Sequence, residues 1–303
     1  MENKILSIGF IGIGVMGKSM VRHLMQEGHK VYVYNRTKAK TDSLVQDGAN
    51  WCDTPKELVK QVDVVMTMVG YPHDVEEVYF GSEGIIENAN EGTIAIDFTT
   101  STPTLAKRIN EVGKRKNVFT LDAPVSGGDV GAKEARLAIM VGGEKDIYDR
   151  CLPLFEKLGT NIQLQGPAGS GQHTKMCNQI AIASNMIGVC EAVAYAKKAG
   201  LNPDKVLESI STGAAGSWSL NNLAPRMLKG DFEPGFYVKH FMKDMKIALD
   251  EAEKLQLPVP GLSLAKELYE ELIMDGEENS GTQVLYKKYI RGEMRWISKS
   301  LMR

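Results

Sequence analysis

Gly12-Ile13-Gly14-Val15-Met16-Gly17 stands between an apolar run, Ile5 to Ile11, and a helix-compatible segment, Val15 to Glu27, that stops at Gly28. A second apolar run, Lys30 to Tyr34, follows and ends in Asn35-Arg36-Thr37. In a chain with 30 glycines, a GxGxxG spacing alone carries little weight. At the start of a strand–helix–strand unit it becomes a dinucleotide-binding fingerprint. Gly12 permits the tight turn, Gly14 lets a pyrophosphate approach the backbone, and Gly17 lets helix pack on strand. The helix start offers unpaired N–H groups and a partial positive charge to the phosphates. Ile13, Val15 and Met16 lie within this loop and join the three glycines as cofactor-contact candidates.

The end of the second strand bears on which dinucleotide. NAD-dependent enzymes place Asp or Glu about 20 residues past the motif, on the ribose 2′-hydroxyl. Here the position reads Asn35, followed by Arg36, Thr37, Lys38 and Lys40, with no carboxylate until Asp42. Arg36 can pair with a phosphate through its planar fork and stack on adenine, while Asn35 and Thr37 can donate to phosphate oxygens. The pattern predicts NADP(H) as the preferred cofactor with NAD(H) possible; a solvated basic turn is the alternative.

The 303 residues suffice for two domains with cores of their own. A 43% hydrophobic and 24% charged composition is that of an ordinary globular protein. The formal charge of −2 gives no reason to expect nucleic acid or a membrane as partner. Met1-Glu2-Asn3-Lys4 runs into the first strand, so no targeting segment is expected and the location reads as cytoplasmic. The apolar stretch Met176 to Ala196 holds Asn178, Gln179, Asn185 and Glu191, which favours a buried helix over a membrane span. Cys52, Cys151, Cys177 and Cys190 show neither CxxC nor metal spacing; reduced, buried thiols and no metal site are expected.

Further apolar, β-branched runs fall at 62–69, 93–98, 118–121, 138–141 and 161–164, with helical segments near 55–60, 74–79, 103–115 and 147–157. This alternation predicts an α/β, doubly wound, mainly parallel Rossmann sheet over 1–165, with ligand-binding loops at the carboxyl ends of its strands. The character changes near Gly166. One long helix is expected over about 173–198, apolar or small on nearly every face and about 37 Å long, enough to join two domains. Segments at 203–211, 220–228, 238–255, 260–274 and 282–290 then predict an all-α second domain over 166–303. Residues 292–303 are basic and read as a solvated tail.

Three other stretches carry chemistry. Leu121-Asp122-Ala123-Pro124-Val125-Ser126-Gly127-Gly128 follows a predicted strand, and its glycine amides and Ser126 hydroxyl make a nest for a small carboxylate, or a plain turn. Gly166 to Gln179 delivers the chain into the long helix with Lys175 and Asn178 one turn apart. A lysine in a first helical turn opposes the dipole, which favours a functional role over a snorkelling surface one. Phe236 to Leu249 places Lys243 beside Asp244 among apolar residues; alone, it reads as an ordinary amphipathic helix.

With these four motifs in order over about residues 5 to 290, the chain resembles the β-hydroxyacid dehydrogenase family, which includes 3-hydroxyisobutyrate dehydrogenases, tartronate semialdehyde reductases and glyoxylate/succinic semialdehyde reductases. The resemblance implies a Rossmann domain joined by a long helix to a helical domain. It implies Lys175 as general acid/base with Asn178 beside it, and Ser126, Gly127 and Gly128 as the substrate-carboxylate site. Thr100 is expected near the nicotinamide, Val69 and Gly70 near the ribose, with Asp74 and Lys243 also at the cofactor. Members with Asn-Arg-Thr after the second strand resemble NADP(H) users. Trp218, in the Ser217-Trp218-Ser219 loop, is expected to close over substrate or to anchor the core. The implied reaction is hydride transfer between nicotinamide and a small β-hydroxy acid or semialdehyde carboxylate. A lysine of ordinary pKa, about 10.4, suits proton donation; acting as a base requires desolvation or a nearby positive charge. A homodimer or homotetramer is expected from the apolar helical domain. The alternatives are a non-catalytic NADP(H)-binding regulator and an imine reductase-like enzyme; Lys175 speaks against both.

Overall fold

The computed structural model describes residues 5–291, so the basic segment 292–303 lies outside the described residues. The chain divides into two compact units, Met1–Lys175 and Met176–Arg303, and passes from one to the other inside the helix Ser170–Lys198.

The first unit is built on a nine-stranded sheet. Its strands are β1 (Ser7–Ile11), β2 (Lys30–Tyr34), β3 (Asn50–Trp51), β4 (Val64–Thr67), β5 (Ile94–Asp97), β6 (Phe119–Asp122), β7 (Val125–Ser126), β8 (Leu137–Gly142) and β9 (Gly159–Gly166). The order is β3-β2-β1-β4-β5-β6-β8-β7, with β9 paired to β8. β1 lies parallel between β2 and β4, so the sheet switches direction of growth at β1, and the loop after β1 opens at that switch point. Within this sheet, among the described residues, only the pairings of β8 with β6 and β7 are antiparallel.

Both faces of the sheet are covered, which is why its strands read as continuous apolar runs. Phe10, Ile96 and Leu121 enter one core, while their neighbours Ile11 and Ala95 enter the other. The helix Pro103–Arg115 shows how the crossovers start: Thr102 accepts from the Leu105 N–H at 3.1 Å and Pro103 takes the first helical position, where no N–H is needed. The two-residue strands β3 and β7 were not expected from the sequence, since two residues carry no periodicity.

The second unit is helical, with Pro203–Ile210, Trp218–Asn222, Ala224–Leu228, Val238–Lys254, Pro260–Met274 and Tyr286–Arg291. Phe241, Met245, Leu268 and Tyr269 fill its core with Met186, Cys190 and Val193 of the long helix. The single helix expected over 220–228 is broken at Leu223, because Pro225 has no N–H to continue the ladder. The long helix itself begins at Ser170, earlier than expected. It is not buried all round: Cys177, Ala181, Ser184, Gly188, Glu191 and Tyr195, every third or fourth residue, form an exposed stripe. Small residues on that stripe hid it from the hydrophobic pattern.

Candidate active site

The three glycines of the loop after β1 are needed for three separate reasons. Gly12 sits at φ +100°, and a Cβ there would lie 2.2 Å from the Met68 carbonyl oxygen. A Cβ on Gly17 would lie 2.2 Å from the Gly12 oxygen, so the helix Val15–Gln26 approaches the strand only with glycine there. Gly14 is exposed and a Cβ on it would meet nothing within 4 Å, which leaves its backbone open to a ligand. Asn35 fastens the loop to the end of β2: its Oδ1 accepts from the Ile13 N–H at 3.0 Å and its Nδ2 donates to the Thr37 oxygen at 2.8 Å. Its amide thus holds the backbone of the loop, with a second N–H left on Nδ2.

Beside it, the Arg36 guanidinium lies 2.9 Å from Oδ1 of Asp74, whose Oδ2 accepts from the Tyr71 N–H at 3.0 Å. Asp74 is 6% exposed and the Arg36 side chain 78%. The stretch after β2 lacks a carboxylate, yet one reaches this arginine from the start of Pro72–Phe80, the helix after β4. Strand order β2-β1-β4 makes the two loops neighbours, something residue spacing does not reveal.

The loops after β4 and β5 are laced together. Val69 N–H donates to Thr99 Oγ1 at 3.0 Å, and Thr99 N–H donates to Asp97 Oδ1 at 3.0 Å. Thr67 Oγ1 donates to the same Asp97 oxygen at 2.7 Å. Burial pushes the Asp97 carboxyl up to about 6, against the pull of these hydrogen bonds. Gly70 and Thr100, the neighbours of Val69 and Thr99, are half-buried on these loops.

Asp122, at the end of β6, organises the start of the long helix. Its Oδ1 accepts from Gly169 N–H at 2.7 Å and its Oδ2 from Gln172 N–H at 2.9 Å, satisfying donors that a helix start leaves over. Burial raises its pKa, with those same bonds opposing. Gln172, fully buried, ties the helix to β5's loop by accepting from Ser101 N–H at 2.9 Å and donating to the Thr99 oxygen at 2.8 Å. So anchored, the helix carries Lys175 in its second turn rather than its first. Lys175 is 6% exposed and its Nζ donates to the Val125 oxygen at 2.9 Å, which excludes the surface-lysine reading. Ser126 follows directly, paired with Ala138, and Gly127 and Gly128 turn at φ +131° and +64°, where glycine is favoured. One buried ammonium, one hydroxyl and a glycine backbone are thus gathered on one strand-end loop and one helix turn. That set suits an anionic, oxygen-bearing ligand and a proton transfer at its oxygen.

In the helical unit, Asn178 Nδ2 donates to Gln179 Oε1 at 2.7 Å, and Gln179 Nε2 donates to Asp244 Oδ2 at 2.6 Å. Lys243 Nζ lies 3.2 Å from Asp244 Oδ1. Trp218 is 63% exposed, so it is no core anchor. Cys52, Cys151 and Cys190 are buried, and burial pushes the first two thiols up to about 11 and about 12. Cys177 is exposed, against expectation. Among the described residues, no group of three or more His, Cys, Asp or Glu is placed to hold a metal ion.

Residues 7–166 match the model of the NAD binding domain of 6-phosphogluconate dehydrogenase, and residues 169–289 match that of the NAD-binding domain of NADP-dependent 3-hydroxyisobutyrate dehydrogenase. An oxidoreductase of Bacillus subtilis is 67% identical over 285 residues, covering 94% of this chain and 99% of the relative. The 2-hydroxy-3-oxopropionate reductase of Escherichia coli is 38% identical over 275 residues, covering 89% and 92%. Among solved structures, 3-hydroxyisobutyrate dehydrogenase of Mycobacterium tuberculosis with L-serine superposes with a TM-score of 0.87 at 28% identity, covering 94% of this chain and 99% of that one.

Proposed function

Because this chain belongs to the β-hydroxyacid dehydrogenase family of NAD(P)-binding oxidoreductases, we propose that it moves hydride between NADP(H) and a small β-hydroxy acid or semialdehyde carboxylate, with Lys175 as general acid/base. The observation that carries the proposal is the buried Lys175 ammonium, held 2.9 Å from the Val125 carbonyl beside Ser126, Gly127 and Gly128.

The residues present fit a dinucleotide. Gly14 leaves open space where a pyrophosphate would pass, and the positive φ of Gly12 turns the chain beneath it. Ile13, Val15, Met16 and Gly17 complete that loop; Val69, Gly70 and Thr100 would line the ribose and nicotinamide. Arg36 is the proposed partner of a 2′-phosphate, with Thr37 beside it and Asn35 acting through the loop. Asp74 meets Arg36 at one terminal nitrogen, and with five N–H donors the guanidinium can also pair with an anion. The same carboxylate is an acceptor for a free 2′-hydroxyl, so use of NAD(H) at lower efficiency is part of the proposal.

A bound nicotinamide supplies the hydride for carbonyl reduction, or accepts it in the reverse direction. The Ser126 hydroxyl and the Gly127 and Gly128 amides hold the substrate carboxylate. Lys175 gives its proton to the substrate oxygen as the carbonyl becomes an alcohol, and takes it back in oxidation. Asn178 hydrogen-bonds the substrate or the lysine; Lys243 and Trp218 keep the cofactor and substrate roles that the family resemblance implies. The names of these relatives support a short carboxylate whose reacting carbon lies β to the carboxyl.

The test is cofactor consumption over a panel of 2-hydroxy-3-oxopropionate, methylmalonate semialdehyde, succinic semialdehyde and glyoxylate, with 3-hydroxyisobutyrate and L-serine in the oxidative direction. NADPH turnover on at least one short semialdehyde, faster than with NADH, is expected. No turnover across the panel, or a clear preference for NADH, would overturn the assignment.

A further inference from the structure

Asn178 is followed by a glutamine whose buried amide has a fixed sense. Gln179 is fully buried and Asp244 is 2% exposed. Asp244 accepts at Oδ2, so the group facing it at 2.6 Å must be the Gln179 NH2. That assignment turns Gln179 Oε1 toward Asn178, 2.7 Å from Nδ2. An oxygen acceptor there in turn requires the Asn178 NH2 to face Gln179, so Asn178 Oδ1 becomes the atom turned away from the relay. The Lys243 ammonium, 3.2 Å from Asp244 Oδ1, holds the far end of the chain as an acceptor. A carboxylate on one helix thereby dictates, through one intervening amide, which atom of an asparagine on another helix is offered outward.

We propose that Gln179 and Asp244 are positioning residues that lock Asn178 with its carbonyl oxygen presented to the reacting group, so that Asn178 works as a hydrogen-bond acceptor. The partner of Asn178 Oδ1 is then a donor: the Lys175 ammonium or the hydroxyl of a β-hydroxy acid. The assignment rests on the placement of Asn178 at the reacting atoms in the proposed function. It adds two residues, and a polarity, that this placement does not contain.

The test is a double-mutant cycle between Asn178→Ala and Gln179→Met, assayed on the fastest substrate of the panel above, with NADPH affinity followed by nucleotide fluorescence. Gln179→Met alone is expected to lower kcat on the order of 10-fold, because the asparagine amide loses its fixed sense. NADPH affinity should stay within about 2-fold, since the relay holds no part of the phosphate loop. In the Asn178→Ala background the same substitution should change kcat no further, because Gln179 then has nothing to orient. Losses that multiply would overturn the proposal and assign Gln179 to general packing. Asp244→Asn, which keeps the shape and admits either amide sense, should repeat the kcat pattern, read at saturating NADPH because Asp244 also pairs with Lys243, and serves if the methionine variant fails to fold. A second readout is independent of turnover: the Asn178 side-chain 15N–H2 resonances, identified by their loss in Asn178→Ala, should be protected from solvent exchange. That protection should fall in Gln179→Met and in Asp244→Asn; unchanged protection overturns the relay. If Asn178→Ala keeps full kcat, the placement of Asn178 is wrong and the proposal falls with it. If Lys175 variants alone keep full turnover, the general acid/base assignment fails while the relay stands.

Discussion

Replacing Asp97 with Asn should flatten a pH dependence of stability that the wild-type chain owes to one buried carboxyl. Asp97 is 5% exposed at the carboxyl end of β5, and it accepts at Oδ1 from Thr67 Oγ1 and from Thr99 N–H. Burial, the largest influence, raises its pKa from 3.8 to about 6; the hydrogen bonds of Thr99 and Thr67 pull the other way. Between these two values the native carboxyl keeps its proton while the unfolded one has lost it. The unfolded chain then binds fewer protons, so stability falls as pH rises through this window and levels off above about 6. A rise from 3.8 to about 6 corresponds to about 3 kcal/mol. Asn keeps the Oδ1 acceptor for both donors and does not titrate. Urea unfolding of both proteins, followed by circular dichroism at steps from about pH 4 to about pH 7.5, should show their stability difference moving by about 2–3 kcal/mol in favour of Asp97→Asn. A difference that stays constant across that range would refute the reasoning, and one that moves in favour of wild type would reverse its sign. Because Thr99 also holds the Val69 N–H, cofactor affinity measured in parallel should change little in the variant.

Two further substitutions test the cofactor loop. Gly14→Ala should leave the melting temperature unchanged, since its Cβ meets nothing within 4 Å, yet weaken NADPH binding by occupying the approach of the pyrophosphate. Gly17→Ala should lose both stability and binding, because its Cβ would lie 2.2 Å from the Gly12 oxygen; equal melting temperatures for the two variants would contradict this division of roles. Arg36→Gln should cost about 1.5–3 kcal/mol of NADPH binding, roughly 10- to 100-fold in Kd, with NADH affinity little changed, as titration of each nucleotide will show. Equal losses for both nucleotides would assign Arg36 to stacking on adenine rather than to the 2′-phosphate.

How much of this was legible beforehand follows from how local each signal is. β1, its glycine loop and the helix Val15–Gln26 are contiguous, and each glycine's requirement is met within a few residues or by the adjacent strand. The strand–helix alternation and the long helix were legible for the same reason. The Arg36–Asp74 pair was not, because it exists only once β1 lies between β2 and β4. Asp97 lies inside the apolar run 93–98 and Asp122 just past the run 118–121; that both are buried, and that Asp122 caps a helix beginning at Ser170, depends on packing. The break at Leu223 was signalled by Pro225 and outweighed by the apolar spacing around it. The small and apolar residues around Cys177 on the helix point to the interior, because the exposed stripe on which it lies contains little that is polar. Lys175 lies in the second turn of the helix, not the first, and its burial against the Val125 carbonyl is the stronger reason for a functional role.

The most direct measurement is the turnover of Lys175→Ala on the substrate selected by the panel, with NADPH affinity determined in the same preparation. As the group that moves the proton, Lys175 should account for about 10²–10⁴-fold in kcat. NADPH should bind to the variant as it does to wild type, since the proposed pyrophosphate contacts come from the loop after β1 and the Lys175 ammonium donates to the Val125 carbonyl at the end of another strand. Near-full turnover of Lys175→Ala with intact cofactor binding would contradict the assignment of this lysine as the general acid/base.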